Sequence, residues 1–184
     1  MGYGIAQAAA ARGHRVRLVA GPVHLAPPAG VRVIPVVSAQ DMLRAVRRQL
    51  AWSDALVMAA AVADWKPKRY SAKKLKKGRA AASLELVRTP DVLGEIAPLK
   101  GGRVFVGFAA ETGNLLREAR RKLKEKRLDL IVANDVTEPG AGFDVDTNRV
   151  TLIDAEGHVA ALPLMSKRAV GTRIVRWIEE RHGR

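Results

Sequence analysis

Short apolar runs alternate with longer amphipathic segments along nearly the whole sequence, and this alternation constrains the fold more than any single motif. A parallel sheet is buried on both faces by the helices that connect its strands, so this order predicts a mainly parallel sheet between two layers of helices. The predicted strands are 14–20, 30–36, 54–65, 83–88, 103–111 and 129–136, followed by a hairpin over 149–162 around Glu156 and Gly157. The predicted helices are 1–12, 38–52, 89–99, 112–128 and 166–183.

Several residues mark where these helices should begin and end. Gly13 is placed to close the first helix, and Ser38 with Asp41 has the spacing of a capping box. Thr89 is the predicted N-cap of the third helix, with Pro90 at its first position. The fourth helix is expected to bury Leu115, Leu116, Ala119 and Leu123. Residues 66–80 are rich in cations without a sustained apolar period, which predicts an exposed loop or flap.

The first residues, "MGYGIAQAAAARGHRVRLVAGP", have the character of a nucleotide-binding βαβ unit that begins after its first strand. The glycine fingerprint is weak, because Gln7 stands where a small residue is required after Gly2 and Gly4. The strand that follows leads into Gly21 and Pro22 instead of the acidic residue that holds a nicotinamide ribose. A classical dehydrogenase is therefore disfavoured.

Composition narrows the class of protein further. The 184 residues show no repeat or internal boundary and suit one domain, 1–184. Cysteine is absent, and the four histidines lack metal-ligand spacing. Without a signal-like or membrane-spanning run, a cytoplasmic enzyme is expected. The net charge of +14 indicates an anionic partner or simply a basic proteome. A basic nucleic-acid-binding domain stays open as an alternative, although only 4% of residues are aromatic.

Candidate ligand-binding residues lie where predicted strands end, since ligands of such sheets bind beyond the carboxyl ends of the strands. Asp64 ends one apolar run, where a carboxylate can bind a hydroxyl, an amino group or a metal, or simply cap a loop. Phe108 can stack on a base or fill the core. The helix start at 89–91 offers free N–H groups to an anion, and plain capping explains it equally well. Lys74, Lys76 and Lys77 could form a flap that closes over a triphosphate, or simply a solvated charge run. Lys122 and Lys126 lie one helical turn apart on one helix face, which taken alone indicates a solvated surface.

A family resemblance emerges when these blocks are taken together in their order along the chain. The blocks are "AAAVADW", "KKLKK", "TPDVL", "VGFAAET", "RRKLKEK" and "LDLIVANDV", followed by "GF" and "SK". They resemble the phosphopantothenoylcysteine synthetase domain, also called phosphopantothenate-cysteine ligase, of the bacterial coenzyme A pathway. The resemblance covers essentially the whole chain and implies a Rossmann-like three-layer α/β sandwich. The "KLKK" and "PDVL" blocks look like the bacterial form, which uses CTP.

The resemblance implies a two-step ligation assisted by Mg²⁺. The carboxylate of 4'-phosphopantothenate attacks the α-phosphate of CTP and pyrophosphate leaves; the amine of cysteine then attacks the acyl-cytidylate, giving phosphopantothenoylcysteine and CMP. Carried over by motif, Lys74 is the flap lysine that acts on the phosphates. The remaining nucleotide-binding residues implied are Met58, Ala59, Ala60, Asp64, Pro90, Asp91, Val92, Leu93, Phe108, Lys122 and Lys126.

The same resemblance explains the opening residues. In this family a first strand, an asparagine and a loop of the type Ser-Ser-Gly-Lys-Met-Gly come before the opening helix, and Met1 and Gly2 match the end of that loop. The chain is therefore expected to lack the first strand of its sheet and to turn over poorly, or to be an inactive nucleotide-binding remnant. The family resemblance further implies a homodimer, and the decarboxylase domain that is often fused upstream in this family is expected to be absent here. No membrane partner is expected, since no apolar run is long enough to span a bilayer.

Overall fold

Strands and helices alternate in the structure largely in the predicted order. The computed structural model describes residues 1–71, 73, 83–111, 115–135 and 145–183. The helices are α1 (Gly2–Ala11), α2 (Ala39–Leu50), α3 (Val92–Ile96), α4 (Leu115–Glu125) and α5 (Lys167–His182), with a 3-10 turn at Ala97–Leu99. The strands are β1 (Val16–Ala20), β2 (Val31–Pro35), β3 (Ala55–Met58), β4 (Trp65–Pro67), β5 (Leu86–Arg88), β6 (Val104–Glu111), β7 (Leu130–Asp135), β8 (Thr147–Asn148), β9 (Thr151–Asp154), β10 (Val159–Ala161) and β11 (Met165–Ser166).

The main sheet has the strand order β3-β6-β7-β9-β10. Strands β3, β6 and β7 are parallel, and β9 and β10 add the predicted antiparallel hairpin. Alternate residues of β6 point to opposite faces: Phe105 packs in the cluster with α2, α3 and α4, whereas Val104 and Val106 pack with α1 and α5. The sheet is thus the middle of three layers, as predicted.

A gap separates this sheet from the parallel pair β1 and β2. Among the residues that the structure describes, no strand hydrogen-bonds to both β1 and β3. Strands β1 and β3 instead line a groove of about 710 Å³. The sequence-based expectation that the sheet lacks a strand at this place agrees with this gap.

Local capping follows the sequence in most places. Gly13 closes α1 with a φ of 87°, and Gly157 turns the β9–β10 hairpin with a φ of 96°. The capping box at Ser38 and Asp41 forms in both directions. The Ser166 hydroxyl accepts a hydrogen bond from the Ala169 amide at the start of α5.

Three expectations are wrong in detail. The strand predicted over 54–65 ends at Met58, because its pairing with β6 stops there and the alanines that follow are largely exposed. The region 66–80 begins with strand residues, since β4 pairs with β5 as an antiparallel ribbon, and much of the rest lies outside the described residues. Leu116 is 44% exposed rather than buried, so the apolar face of α4 is narrower than its periodicity suggests.

Candidate functional site

The end of β3 brings three of the predicted nucleotide-pocket residues to the edge of the sheet. Met58, Ala59 and Ala60 line the end of the groove, next to the start of α1. Met58 is 9% exposed and packs in the core cluster with residues of α2 and α3, so its side chain is largely unavailable to a ligand. Ala59 lies on the opposite face, partly buried against the cluster that contains α1 and α5, and Ala60 is exposed.

Phe108 lies beside Ala59 on the neighbouring strand. The register pairs Met58 with Gly107, which places Phe108 one residue further along β6, on the face of Ala59. The ring is half-buried and packs against the α1–α5 cluster. One flank of this ring is therefore core, and the partly exposed remainder suits contact with a flat ligand group.

Asp91, rather than Thr89, is the N-cap of α3, which corrects the prediction from sequence. The Asp91 carboxylate accepts a hydrogen bond of 3.0 Å from the Gly94 amide. A Cβ atom on Gly94 would lie 2.6 Å from Asp91 Oδ2, so this glycine makes room for the carboxylate. Pro90 precedes the cap, Val92 is buried beneath it and Leu93 packs against the same core.

Lys126 reaches from the end of α4 to the start of α3, where its ammonium contacts Asp91 Oδ2. Partial burial acts to raise the pKa of Asp91, but the Lys126 hydrogen bond, the Gly94 amide and the Lys126 charge outweigh it and hold the pKa below its ordinary value. The carboxylate therefore stays ionised at neutral pH. An anionic ligand at this place would compete with Asp91 for the lysine.

The Thr89 side chain ties the start of α3 to the loop that contains Asp64. The Thr89 amide donates to the Asp64 carbonyl at 2.9 Å, and the Thr89 hydroxyl donates to the Ala63 carbonyl. The Thr89 hydroxyl therefore connects two segments of the chain, and so it does not cap α3. The Asp64 side chain itself is exposed beside this junction.

The predicted site residues accordingly form two groups, joined through the Thr89 junction. One group lies at the ends of β3 and β6 and contains Met58, Ala59, Ala60 and Phe108. The other contains the α3 start and Lys126, with Lys122 one helical turn before Lys126 on α4. Lys74 lies outside the described residues. Sequence reasoning missed Gly94 and the role of Thr89 in connecting two segments of the chain. The Asp-x-x-Gly spacing of residues 91–94 was an available signal for Gly94.

A second cluster of potential ligands lies on the β9–β10 hairpin. Asp154, Glu156 and His158 place one ligand atom each within 4.8 Å of one another. The Asp154 carboxylate already accepts hydrogen bonds from the Glu156 and His158 amides and contacts the His158 ring, while Arg181 contacts Glu156. These hydrogen bonds stabilise the hairpin turn, and they account for the closeness of the three side chains without a metal ion.

Comparison with known proteins identifies the family. The family model of the DNA/pantothenate metabolism flavoprotein C-terminal domain matches residues 1–181. The chain belongs to this family. The family predicted from the sequence blocks is thereby confirmed.

Relatives of this DNA/pantothenate metabolism flavoprotein domain match across nearly the whole chain. The coenzyme A biosynthesis bifunctional protein CoaBC of Bacillus subtilis (strain 168) is 48% identical over 179 residues, which are 97% of this chain and 44% of that protein. The chain thus spans less than half the length of this curated relative. The counterpart from Vibrio parahaemolyticus (serotype O3:K6, strain RIMD 2210633) is 43% identical over 98% of this chain and 46% of its own length.

Solved structures support the fold. The crystal structure of the C-terminal domain of a CoaBC protein superposes with a TM-score of 0.82 at 38% identity, covering 97% of this chain and 80% of that one. In the described part of the DNA/pantothenate metabolism flavoprotein domain, no helix is both long enough and apolar enough to cross a bilayer.

Proposed function

We propose that this chain catalyses the CTP-dependent ligation of 4'-phosphopantothenate with cysteine in coenzyme A biosynthesis. The name of the relatives places them in that pathway, and the chain corresponds to the C-terminal part of such proteins. The observation that carries the proposal is the contact of Lys126 with Asp91 at the start of α3, beside the loop of Asp64. This arrangement supports the proposal, because it holds a cation beside residues that the family resemblance assigns to nucleotide binding.

The reaction needs charge stabilisation and positioning more than covalent chemistry by the protein. In the first step a carboxylate oxygen of phosphopantothenate forms a bond to the α-phosphorus of CTP, and the bond to pyrophosphate breaks. In the second step the cysteine nitrogen forms the amide bond at the acyl carbon, loses a proton, and CMP leaves. Phosphate charge develops in the first step, which is where Lys74, Lys122 and Lys126 would act.

The residues fit these roles to different degrees. The small residues Ala59 and Ala60, which line the groove, and the half-buried Phe108 ring suit the flat base. Lys126 suits the triphosphate, provided that the ligand displaces Asp91 from it. Phosphate and carboxylate oxygens are the ligands that Mg²⁺ prefers, so the ion would come with the triphosphate, and Asp64 offers an exposed carboxylate nearby. When bound, the ion would neutralise part of the phosphate charge.

Nucleotide choice tests the proposal directly. A ligand that binds only the folded state raises the melting temperature by mass action. CTP with Mg²⁺ should therefore raise the Tm of this chain more than ATP, GTP or UTP at the same concentration. Equal shifts from all four nucleotides would contradict the CTP assignment. Affinity for nucleic acid that falls steeply with salt and ignores CTP would favour the DNA- or RNA-binding alternative.

Product formation separates an enzyme from an inactive remnant. Pyrophosphate release and phosphopantothenoylcysteine should both be measured for this chain and for a form extended through the strand and loop that the family resemblance implies. We expect the extended form to be faster, because the loop before α1 would complete the phosphate-facing entrance of that helix. Equal rates would make that segment dispensable.

The Lys74 flap assignment has its own test. Since a flap lysine matters most where charge develops, Lys74→Gln should lower the rate of acyl-cytidylate formation far more than it weakens CTP binding. An equal loss of rate and affinity would instead assign Lys74 to binding of the ground state.

A further inference from the structure

Asn134 is a buried polar residue near the carboxyl end of β7, the strand next to β6 in the main sheet. It is 8% exposed, and no residue that the structure describes forms a hydrogen bond with its side-chain amide. A buried amide group without a partner costs free energy, whereas an apolar residue of the same shape at that place would not. Packing therefore does not explain this asparagine, and its amide is available to a ligand.

The Asn134 side chain lies on the same face of the sheet as the Phe108 ring. Side chains alternate between the two faces along a strand. Leu130 and Val132 of β7 pack in the cluster with α1 and α5, and Asn134 continues this alternate series. Phe108 packs against the same cluster. Asn134 therefore faces the side of the sheet on which the candidate base-binding residues lie.

The strand register brings Asn134 close to Phe108. Phe108 pairs with Val132, and Ala110 pairs with Asn134 two residues further along. Neighbouring strands lie about 4.8 Å apart and each residue advances a strand by about 3.3 Å, so the Cα atoms of Phe108 and Asn134 are about 8 Å apart. An asparagine side chain and the edge of a pyrimidine together span this distance. A base that stacks on the exposed part of the Phe108 ring would therefore present its polar edge to Asn134.

The chemistry of the amide group selects which part of a nucleotide it fits. An asparagine side chain carries no charge and offers one acceptor oxygen and two donor hydrogens. A phosphate group only accepts hydrogen bonds, and in the proposed function the phosphates lie with Lys126 at the start of α3. Cytosine has a donor, its exocyclic amino group, directly beside an acceptor, its ring nitrogen N3. These two groups complement the oxygen and the nitrogen of one asparagine side chain.

We propose that Asn134 binds the polar edge of the cytosine in CTP and is a specificity-determining residue of this site. Its Oδ1 accepts a hydrogen bond from the cytosine amino group, and its Nδ2 donates a hydrogen bond to N3. This role rests on the proposed function, in which the base lies against Phe108. Asn134 is not among the residues that the family resemblance assigns to nucleotide binding.

Two probes that each lack one part of CTP test this contact. Zebularine 5'-triphosphate, the 4-deamino form of CTP, has the same sugar and phosphates but carries hydrogen in place of the amino group. Inorganic triphosphate lacks the nucleoside altogether. Calorimetric titration of this chain with Mg²⁺ present should give CTP an affinity at least about fivefold higher than that of the 4-deamino analogue, because a site that hydrogen-bonds a group rejects an analogue without it.

Variants of Asn134 locate the contact. In Asn134→Leu the ratio of the affinities for CTP and the analogue should fall to about one, while the affinity for inorganic triphosphate should stay within about twofold. The Tm without ligand should change little, because leucine replaces an amide group that has no partner among the described residues. Asn134→Asp keeps an acceptor for the amino group and should retain the preference for CTP over the analogue.

Asn148→Leu is the matched control. Asn148 is also buried, at 2% exposed, and its Oδ1 bonds to no described residue, but it lies on β8, outside the main sheet. The preference for CTP over the analogue should persist in this control.

The outcomes separate the role of Asn134 from the proposed function. A preference for CTP over the analogue that persists in Asn134→Leu, or that the original chain does not show, would overturn this role while leaving CTP binding intact. Loss of the preference in Asn134→Asp or in Asn148→Leu would assign the effect to a disturbance of this edge of the sheet and would overturn it as well. If the original chain binds CTP no more tightly than inorganic triphosphate, the CTP assignment itself fails, and the role of Asn134 with it.

Discussion

Lys126 and Asp91 contact each other across 35 positions of sequence and so connect the end of α4 to the cap of α3. The lysine is a quarter exposed and the carboxylate about half exposed. A pair with this exposure contributes little to folding stability. In the proposed function, this pair keeps a cation at the place where the triphosphate of CTP would bind.

Replacing Lys126 should weaken nucleotide binding while leaving the free energy of unfolding nearly unchanged. Lys126→Gln should weaken binding of CTP with Mg²⁺ by about tenfold or more, because a charge-assisted hydrogen bond contributes about 1.5–3 kcal/mol. The free energy of unfolding should change by less than about 1 kcal/mol. Calorimetric titration and urea unfolding measure the two quantities. The control Lys124→Gln removes the same charge from an exposed position of α4. An equal loss of CTP affinity in this control would mean that the effect of Lys126→Gln comes from overall charge and not from its position.

The absence of a side chain at Gly94 should be what lets the Asp91 carboxylate cap α3 and keep its low pKa. In Gly94→Ala the new methyl group would displace the carboxylate from its place 2.6 Å away, which breaks the cap and the Lys126 contact. The pKa of Asp91 should then rise toward its ordinary value. Loss of a cap costs about 1 kcal/mol and alanine gains about as much in a helix, so stability should stay nearly unchanged. NMR titration of the Asp91 carboxyl group measures the pKa.

The control for this substitution is Gly102→Ala, since a Cβ at Gly102 would meet no atom within 4 Å. It should leave the Asp91 titration as it is in the original chain. If the Asp91 pKa also stays low in Gly94→Ala, the close approach does not position the carboxylate.

The sequence predicts best what depends on long apolar runs. Strands β6 and β7 match their predicted ranges closely, because an apolar run such as "VFV" at the start of β6 is buried on both faces. Prediction fails where a tertiary contact decides the outcome. Thr89 has the chemistry of an N-cap, but its hydroxyl donates to Ala63, 26 positions away, and Asp91 takes over the cap. The Lys126 contact with Asp91 depends on how α3 and α4 pack, which no local pattern specifies.

Acid should reveal the role of Glu179 in holding α1 to α5. Arg12 donates two hydrogen bonds to Glu179, at 2.8 and 2.6 Å, and the His14 ring lies 2.7 Å from it. The hydrogen bonds from Arg12, then that from His14, lower the pKa of Glu179 to about 2. A depressed pKa means that the stabilisation is present above the unfolded value of about 4.3 and is lost as pH falls through about 2.

The matched variant isolates this contribution from other carboxylates. The stability difference between the original chain and Glu179→Gln, measured by urea unfolding, should be constant above about pH 5 and shrink toward pH 2. Glu180→Gln removes the same charge from the next residue of α5 and should show no such trend. A difference that does not vary with pH would exclude Glu179 as the titrating group.

The β4–β5 ribbon carries exposed apolar side chains that we expect to form a homodimer contact. Trp65 is 50% exposed and Leu86 is 48% exposed, on two strands that pair only with each other in the described chain. A two-stranded ribbon is marginally stable alone, and exposed apolar patches usually mark an interface. A second copy of the ribbon would cover these residues, in keeping with the prevalence of twofold symmetric dimers.

Light scattering coupled to size exclusion should give twice the chain mass of 19.9 kDa. Trp65→Lys should reduce it to the monomer mass, because a buried lysine without a partner is costly. Leu99→Lys changes a residue of equal exposure on the 3-10 turn and should leave the dimer intact. A monomer for the original chain, or dissociation by both variants, would contradict the assignment of the ribbon.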